Sequence, residues 1–274
     1  MKEIVSAEWL NKNLDNPNLV LLDASMDANT DESQNEKAVV TIPSARKFDL
    51  KNVFRDKSNP FPNTVPQPEE FELECQKIGI NKDSEIIVFD KRGIYLSPRV
   101  WWLFNVMGHK NIAVLDGGLP NWMEEGFPIT DQYLEEFESG NFKANFDKDL
   151  VIGFQQVKEN IKQKDFTIVD ARSNGRFNGT ESEPRKHLKS GSIENSVNIH
   201  FQEVLSNGKF KSKEELNELF MEKLKGEKEL VFSCGSGITA CIIMLAAQIG
   251  YGESKKIYDG SWTEWAEKNK LTTS

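Results

Sequence analysis

Residues 229–245 read ELVFSCGSGITACIIML. An apolar run of β character ends at Cys234, a loop with two glycines follows, and an apolar run of helical character then begins. A strand passing through a glycine loop into a helix is the building unit of an α/β fold. A matching run occurs earlier, EIIVFDKRGIYLSPRVWWLF at 85–104, with a charged loop and no thiol.

The correspondence extends in both directions from these loops. LVLLDAS (19–25) pairs with TIVDARS (167–173), TIPSARKFD (41–49) with SIENSVNIH (192–200), and VLDGGLPNWMEEGFPI (114–129) with IYDGSWTEWAEKNKL (257–271). Asp116 and Asp259 lie 143 residues apart, as do Trp122 and Trp265. Carried into the loops, that offset sets Lys91 opposite Cys234. The chain is therefore a duplication, with expected domains 1–135 and 150–274 joined by the polar segment 131–149. In each half, strand-like runs (20–23, 85–90, 112–116; 166–170, 229–234, 256–259) alternate with helical stretches (7–14, 68–78, 98–107; 154–163, 213–223, 239–249). Near-continuous apolar strands separated by helices imply mostly parallel sheets covered by helices on both sides. Ligands of such sheets bind beyond the carboxyl ends of the strands, where Cys234 falls.

Composition narrows the function. The 274 residues carry a net charge of -9, which a nucleic-acid backbone would repel, so no nucleic-acid partner is expected. No apolar run is long enough to span a membrane, and the N-terminus shows no targeting pattern, so a cytoplasmic protein without a membrane partner is expected. Three cysteines, Cys75, Cys234 and Cys241, do not make a disulfide framework and fit a reducing compartment. No clustered metal ligands and no dinucleotide fingerprint occur, so neither metal nor organic cofactor is implied. The chain is expected to act as a monomer.

Cys75 and Cys241, set within helical apolar stretches, read as small buried hydrophobes. Cys234 stands apart. Gly235 and Gly237 let the loop curl its N–H groups inward, and the helix starting near Thr239 adds its positive end. Both favour a thiolate, the nucleophilic form of cysteine. Thr239 is also placed to cap that helix. A cysteine phosphatase would need an arginine closing the loop, but that position is Ala240 and no residue from Gly235 to Ala240 is charged. Sulfur transfer through a persulfide needs amide donors and no loop arginine, and the neutral loop suits it.

CGSGITA (234–240), VDARSNGRFNGTESEPR (169–185), SPRVWWLF (97–104) and the DGG/DGS elements together resemble two-domain sulfurtransferases of the rhodanese family, in particular those using 3-mercaptopyruvate. The resemblance implies two tandem rhodanese-like domains, the second catalytic and the first a structural partner. It implies that Cys234 takes sulfur from 3-mercaptopyruvate, releasing pyruvate, and passes it to a thiol acceptor such as thioredoxin or to cyanide. Gly235, Gly237, Ile238 and Thr239 would cradle the persulfide. Arg176 and Arg185 would hold the substrate carboxylate and ketone, while Arg172 reads as a structural ion-pair partner. For Arg176 and Arg185 the residue-level alternative is a surface pair with Glu181 or Glu183. The resemblance gives Ser236 a role in protonating the enolate through a Ser–His–Asp relay. Asn63 stands in the place of that histidine, and Lys51 or a neighbour in that of the aspartate. Two other functions compete: a thiosulfate sulfurtransferase, and a non-catalytic persulfide-binding module in which Cys234 is buried and unreactive. The tryptophans read as packing residues and His187 as a surface residue.

Overall fold

The computed structural model describes residues 1–26, 39–225, 229–252 and 254–273. The chain divides into two compact units, Met1–Arg55 with Pro66–Phe146, and Asp56–Val65 with Asp147–Ser274.

In the first unit, strands β1 (Ile4–Val5), β2 (Leu19–Asp23), β3 (Ala45–Lys47), β4 (Glu85–Phe89) and β5 (Ile112–Leu115) form a sheet in the order β1-β5-β4-β2-β3. Every pairing in it is parallel. The helices are α1 (Ala7–Asn13), α2 (Pro68–Lys77), α3 (Ser97–Val106) and α4 (Gly118–Glu124). Local chemistry sets their starts: Ser6 accepts from the Trp9 amide at the head of α1, and Pro68 supplies a preset φ at the first position of α2. Leu21, Ile87, Ala113 and Leu115 meet Trp122 and Ala7 in one core cluster. A separate ring cluster stacks Phe48 on Phe54 and sets Phe71, Phe104 and Phe142 edge to face.

The second unit repeats the plan. Strands β6 (Val151–Ile152), β7 (Thr167–Asp170), β8 (Ser196–Asn198), β11 (Leu230–Ser233) and β12 (Lys256–Tyr258) pair in the order β6-β12-β11-β7-β8, again all parallel. A small antiparallel hairpin, β9 (Leu205–Ser206) and β10 (Lys209–Phe210), is added. The helices are α5 (Phe154–Gln163), α6 (Asn174–Phe177), α7 (Lys213–Leu224), α8 (Ala240–Gly250) and α9 (Ser261–Lys268). The capping box between Ser212 and Glu215 opens α7. Helix α8 is apolar all round and buried, with Ile242, Ile243, Met244 and Leu245 fully inaccessible. Each such side chain contributes roughly 2 kcal/mol of transfer free energy. That burial fixes α8 against β11 and β12 even though Thr239 makes no side-chain cap bond. The cap expected of Thr239 is therefore not made; its backbone is already helical (φ -70, ψ -17), which points its hydroxyl away from the cap geometry.

The expected α/β architecture is present, with β4 and β11 central in their sheets. The short edge strands β1, β3, β6 and β8 were not visible in the sequence, because two or three residues show no period. The segment 131–149 also differs from a free linker. The amides of Leu134, Gly140, Phe142 and Asn145 donate to carbonyls of Ala45, Gln76, Ile80 and Met107, and Phe142 is fully buried. These irregular backbone bonds leave no periodic signature.

The strand registers correct one equivalence. Phe89 pairs with Asp23 and Ser233 with Asp170, and the carbonyls of Phe89 and Ser233 accept from the residues after those aspartates, Ala24 and Ala171. Asp90, not Lys91, is thus the counterpart of Cys234. Gly93 (φ 88) and Gly237 (φ 81) then coincide as the left-handed residue of each loop. One residue is gained or lost between these loops and the DGG/DGS elements, so a single offset misplaces the pair.

Candidate active site

Cys234 follows the last residue of the central strand β11, and α8 starts six residues later. Its amide donates to Ser261 Oγ (3.2 Å), and its carbonyl accepts from the Trp262 amide (3.0 Å). The Gly235 carbonyl accepts from Thr263 Oγ1 (2.6 Å) and the Thr263 amide (3.1 Å). The start of α9 thus clamps the base of the loop. The Gly237 amide donates to Cys234 Sγ at 3.2 Å, and the thiol is 2% exposed. Among the described residues, the amides of Ser236, Ile238, Thr239 and Ala240 donate to no protein atom. Those of Thr239 and Ala240 belong to the head of α8 and those of Ser236 and Ile238 to the loop before it, and all are available to an anion.

The first unit shows what a loop of this shape binds. The amides of Tyr95 (3.1 Å), Leu96 (2.8 Å) and Ser97 (2.9 Å), with the Ser97 hydroxyl (2.9 Å), all donate to Asp90 Oδ2. The Arg92 amide donates to Oδ1 at 2.9 Å. Asp90 is fully buried, and burial pushes its carboxyl up against the pull of these donors. A carboxyl side chain thus fills the first cradle, while in the second the corresponding residue is a thiol.

Arg176 sits on the one-turn helix α6, opened by Ser173. Its guanidinium donates to Glu183 Oε2 from Nη2 (2.6 Å) and Nε (3.2 Å). A β-carbon added at Gly235 would stand 2.9 Å from that Nη2, so the guanidinium lies against the bare backbone beside the nucleophile. Glu183 is buried and accepts from Arg172 Nη1 through its other oxygen, at 2.7 Å. Arg172 also forks onto Asp170, donates to the Gly191 carbonyl and stacks over Trp262. Burial works against the Arg172 charge, but Asp170 and Glu183 more than offset it and raise its pKa. Arg172 is structural, as expected, and the Glu183 pairing foreseen for Arg176 is real but buried. Arg185 is half-exposed in the same loop, and among the described residues its guanidinium has no hydrogen bond or ion pair. Among the described residues no hydrogen bond or ion pair ties Arg185 to the cysteine loop.

Ser236 is held by Asn63, whose Nδ2 lies 3.1 Å from both its carbonyl oxygen and its hydroxyl. Segment 56–65 belongs to this second unit and is pinned again by the Val65 amide on Asp259 Oδ2 (2.8 Å). His187 is exposed and pairs with Glu267. His200, at the carboxyl end of β8, was missed in the sequence. Burial pushes its imidazole down, Glu203 and Glu181 pull it back, and Arg176 pushes it further down. Its place at a strand end in the second repeat was the available signal. For Glu183 the sequence offered the pairing but not its burial, since a loop glutamate ordinarily faces water. Cys75 and Cys241 are fully buried, and burial pushes the Cys75 thiol well up. Trp101, Trp102, Trp122, Trp262 and Trp265 are all buried packing residues. No cluster of side chains able to hold a metal ion occurs among the described residues, and no described helix is long and apolar enough to cross a membrane.

A Rhodanese-like domain model matches residues 6–125 and again 154–268. The chain belongs to the rhodanese family, with two such domains in tandem. It is similar to 3-mercaptopyruvate sulfurtransferase of Homo sapiens, at 36% identity over 96% of this chain and 92% of that protein. It is also similar to thiosulfate sulfurtransferase of Bos taurus, at 38% identity over the same shares. The crystal structure of SseA from Escherichia coli, a 3-mercaptopyruvate sulfotransferase, superposes with a TM-score of 0.82 at 29% identity, covering 96% of this chain and 99% of that one.

Proposed function

We propose that this sulfurtransferase takes sulfur from 3-mercaptopyruvate through a persulfide on Cys234. The observation that carries the choice of donor is the neutral loop. Gly235 leaves room for one guanidinium, Arg176, and no cation stands in the loop itself. A compact inorganic dianion such as thiosulfate is served best by loop cations, whereas an α-keto acid presents a flat carboxylate–ketone edge that a guanidinium fork matches. Arg176 and the unpaired Arg185 supply such forks. The Cys234 thiolate attacks the substrate sulfur. The S–S bond forms, the carbon–sulfur bond breaks, and its electron pair becomes the enolate of pyruvate. The proton first carried by the substrate sulfur goes to that carbon, leaving a persulfide anion facing the open amides of the loop.

A thiol acceptor, of which thioredoxin is one form, then attacks the outer sulfur, leaves as its own persulfide and returns the Cys234 thiolate. Cyanide in the same role leaves as thiocyanate. The first domain acts as the non-catalytic partner, since Asp90 fills its loop. The three free thiols support a reducing compartment, and we place the protein in the cytoplasm, acting as a monomer. The test is the ratio of specificity constants for the two donors. A higher kcat/KM for 3-mercaptopyruvate than for thiosulfate is expected, and Arg176→Ala and Arg185→Ala should lower the first far more than the second. A preference for thiosulfate in the unmodified protein would reverse the assignment of the donor.

A further inference from the structure

We infer that Asn63 is a positioning residue for the carbon–sulfur cleavage step, fixing the Ser236 hydroxyl as an outward hydrogen-bond donor. The inference rests on the reading of 3-mercaptopyruvate as donor.

The carboxamide has two ends, and one contact decides which faces the loop. A backbone carbonyl can only accept, so the atom 3.1 Å from the Ser236 oxygen is the NH2 group. The same NH2 group lies 3.1 Å from Ser236 Oγ, so the hydroxyl accepts there. Its own proton is then directed elsewhere, and among the described residues no protein acceptor takes it. A hydroxyl two residues from the nucleophile, with a lone pair occupied and a free proton, suits the oxygen on which the enolate charge develops. It needs to donate a hydrogen bond and need not lose its proton.

The loop carrying Asn63 is built to hold it still. Asp56 Oδ1 accepts from the Ser58 amide (2.8 Å), the Ser58 hydroxyl (2.6 Å) and the Asn59 amide (3.2 Å). The Asp56 amide closes the loop on the Thr64 carbonyl at 3.0 Å. Asn63 itself is left-handed (φ 61), a conformation asparagine tolerates better than most residues.

The test is a double-mutant cycle on pyruvate release. Asn63→Gly keeps the left-handed backbone and removes only the amide, so it avoids the strain an alanine would bring. Asn63→Gly and Ser236→Ala are each expected to lower kcat for 3-mercaptopyruvate about tenfold, with KM within about twofold, because the lost interaction belongs to the transition state. The double variant should be no slower than Ser236→Ala alone. Sulfur release from thiosulfate forms no enolate and should be unchanged in all three. Asn63→Asp, nearly isosteric but accepting where Asn63 donates, would capture the hydroxyl proton and should be slow as well. Wild-type kcat in Asn63→Gly, or effects that multiply in the double variant, would overturn the inference while leaving the donor assignment intact. An unmodified protein that releases no pyruvate from 3-mercaptopyruvate would instead remove the donor assignment on which it rests.

Discussion

Gly235 is a position where one absent methyl group decides chemistry. The atom a β-carbon would crowd is the end of a flexible side chain, Arg176 Nη2, so Gly235→Ala has an inexpensive escape: the guanidinium moves. Folding stability should be nearly unchanged, while KM for 3-mercaptopyruvate rises about tenfold on misplacing one charge-assisted contact. Thermal unfolding and donor kinetics on the same variant check both halves, and an unchanged KM would show that Arg176 does not read the substrate. Glu183 makes the opposite kind of prediction. Its carboxylate is buried between two guanidinium groups. Glu183→Gln leaves Arg176 without its counter-charge and Arg172 with Asp170 alone, and should cost about 3 kcal/mol of stability, read by urea unfolding. The thiol and the two glycines of its loop were legible in the sequence from residue type, and the family resemblance drew attention to Arg176, which lies against Gly235. The Glu183 bridge was not, because burial of a loop carboxylate depends on partners the sequence does not order in space.

At the scale of elements, the two strand–loop–helix units show how one backbone serves two purposes. Five donors converge on Asp90, while among the described residues five amides of the Cys234 loop, Gly235, Ser236, Ile238, Thr239 and Ala240, meet no protein acceptor. The long apolar elements β4, β11, α3 and α8 could be read directly, since burial on every side leaves a continuous apolar run. Two things escaped that reading. The one-residue slip between loop and DGS element put Lys91 where Asp90 stands, and only paired registers expose it. Segment 56–65 also carries no period, so only the family resemblance, and no pattern in the residues themselves, set Asn63 beside Ser236. Helices that begin in solvent depend more on their caps than α8 does. Ser212 accepts from the Glu215 amide at 3.2 Å at the start of α7. Ser212→Ala should cost about 1 kcal/mol in chemical denaturation, with activity unchanged. A loss of activity without a loss of stability would mean α7 has a part in the site that its position does not suggest.

For the whole molecule, burial disfavours the charged form of two of its three histidines, one in each unit. His109 is buried beside Phe104 and Phe142, with its ring bonded to the Ser84 carbonyl at 3.1 Å. Burial pushes both His109 and His200 below the ordinary histidine value. A depressed base binds fewer protons folded than unfolded. Stability should therefore be complete above about pH 6.5 and fall as acid carries the medium through the lower folded value. His109→Gln should flatten the decline in melting temperature between about pH 6.5 and 5. An equally steep decline in the variant would move the acid sensitivity to other groups. The central claim, that Cys234 carries the transferred sulfur among open amides, is tested most directly by intact mass after incubation with 3-mercaptopyruvate. The account predicts a gain of one sulfur atom, lost on adding a reductant and absent in Cys234→Ser. No gain in the unmodified protein, or the same gain in Cys234→Ser, would contradict it.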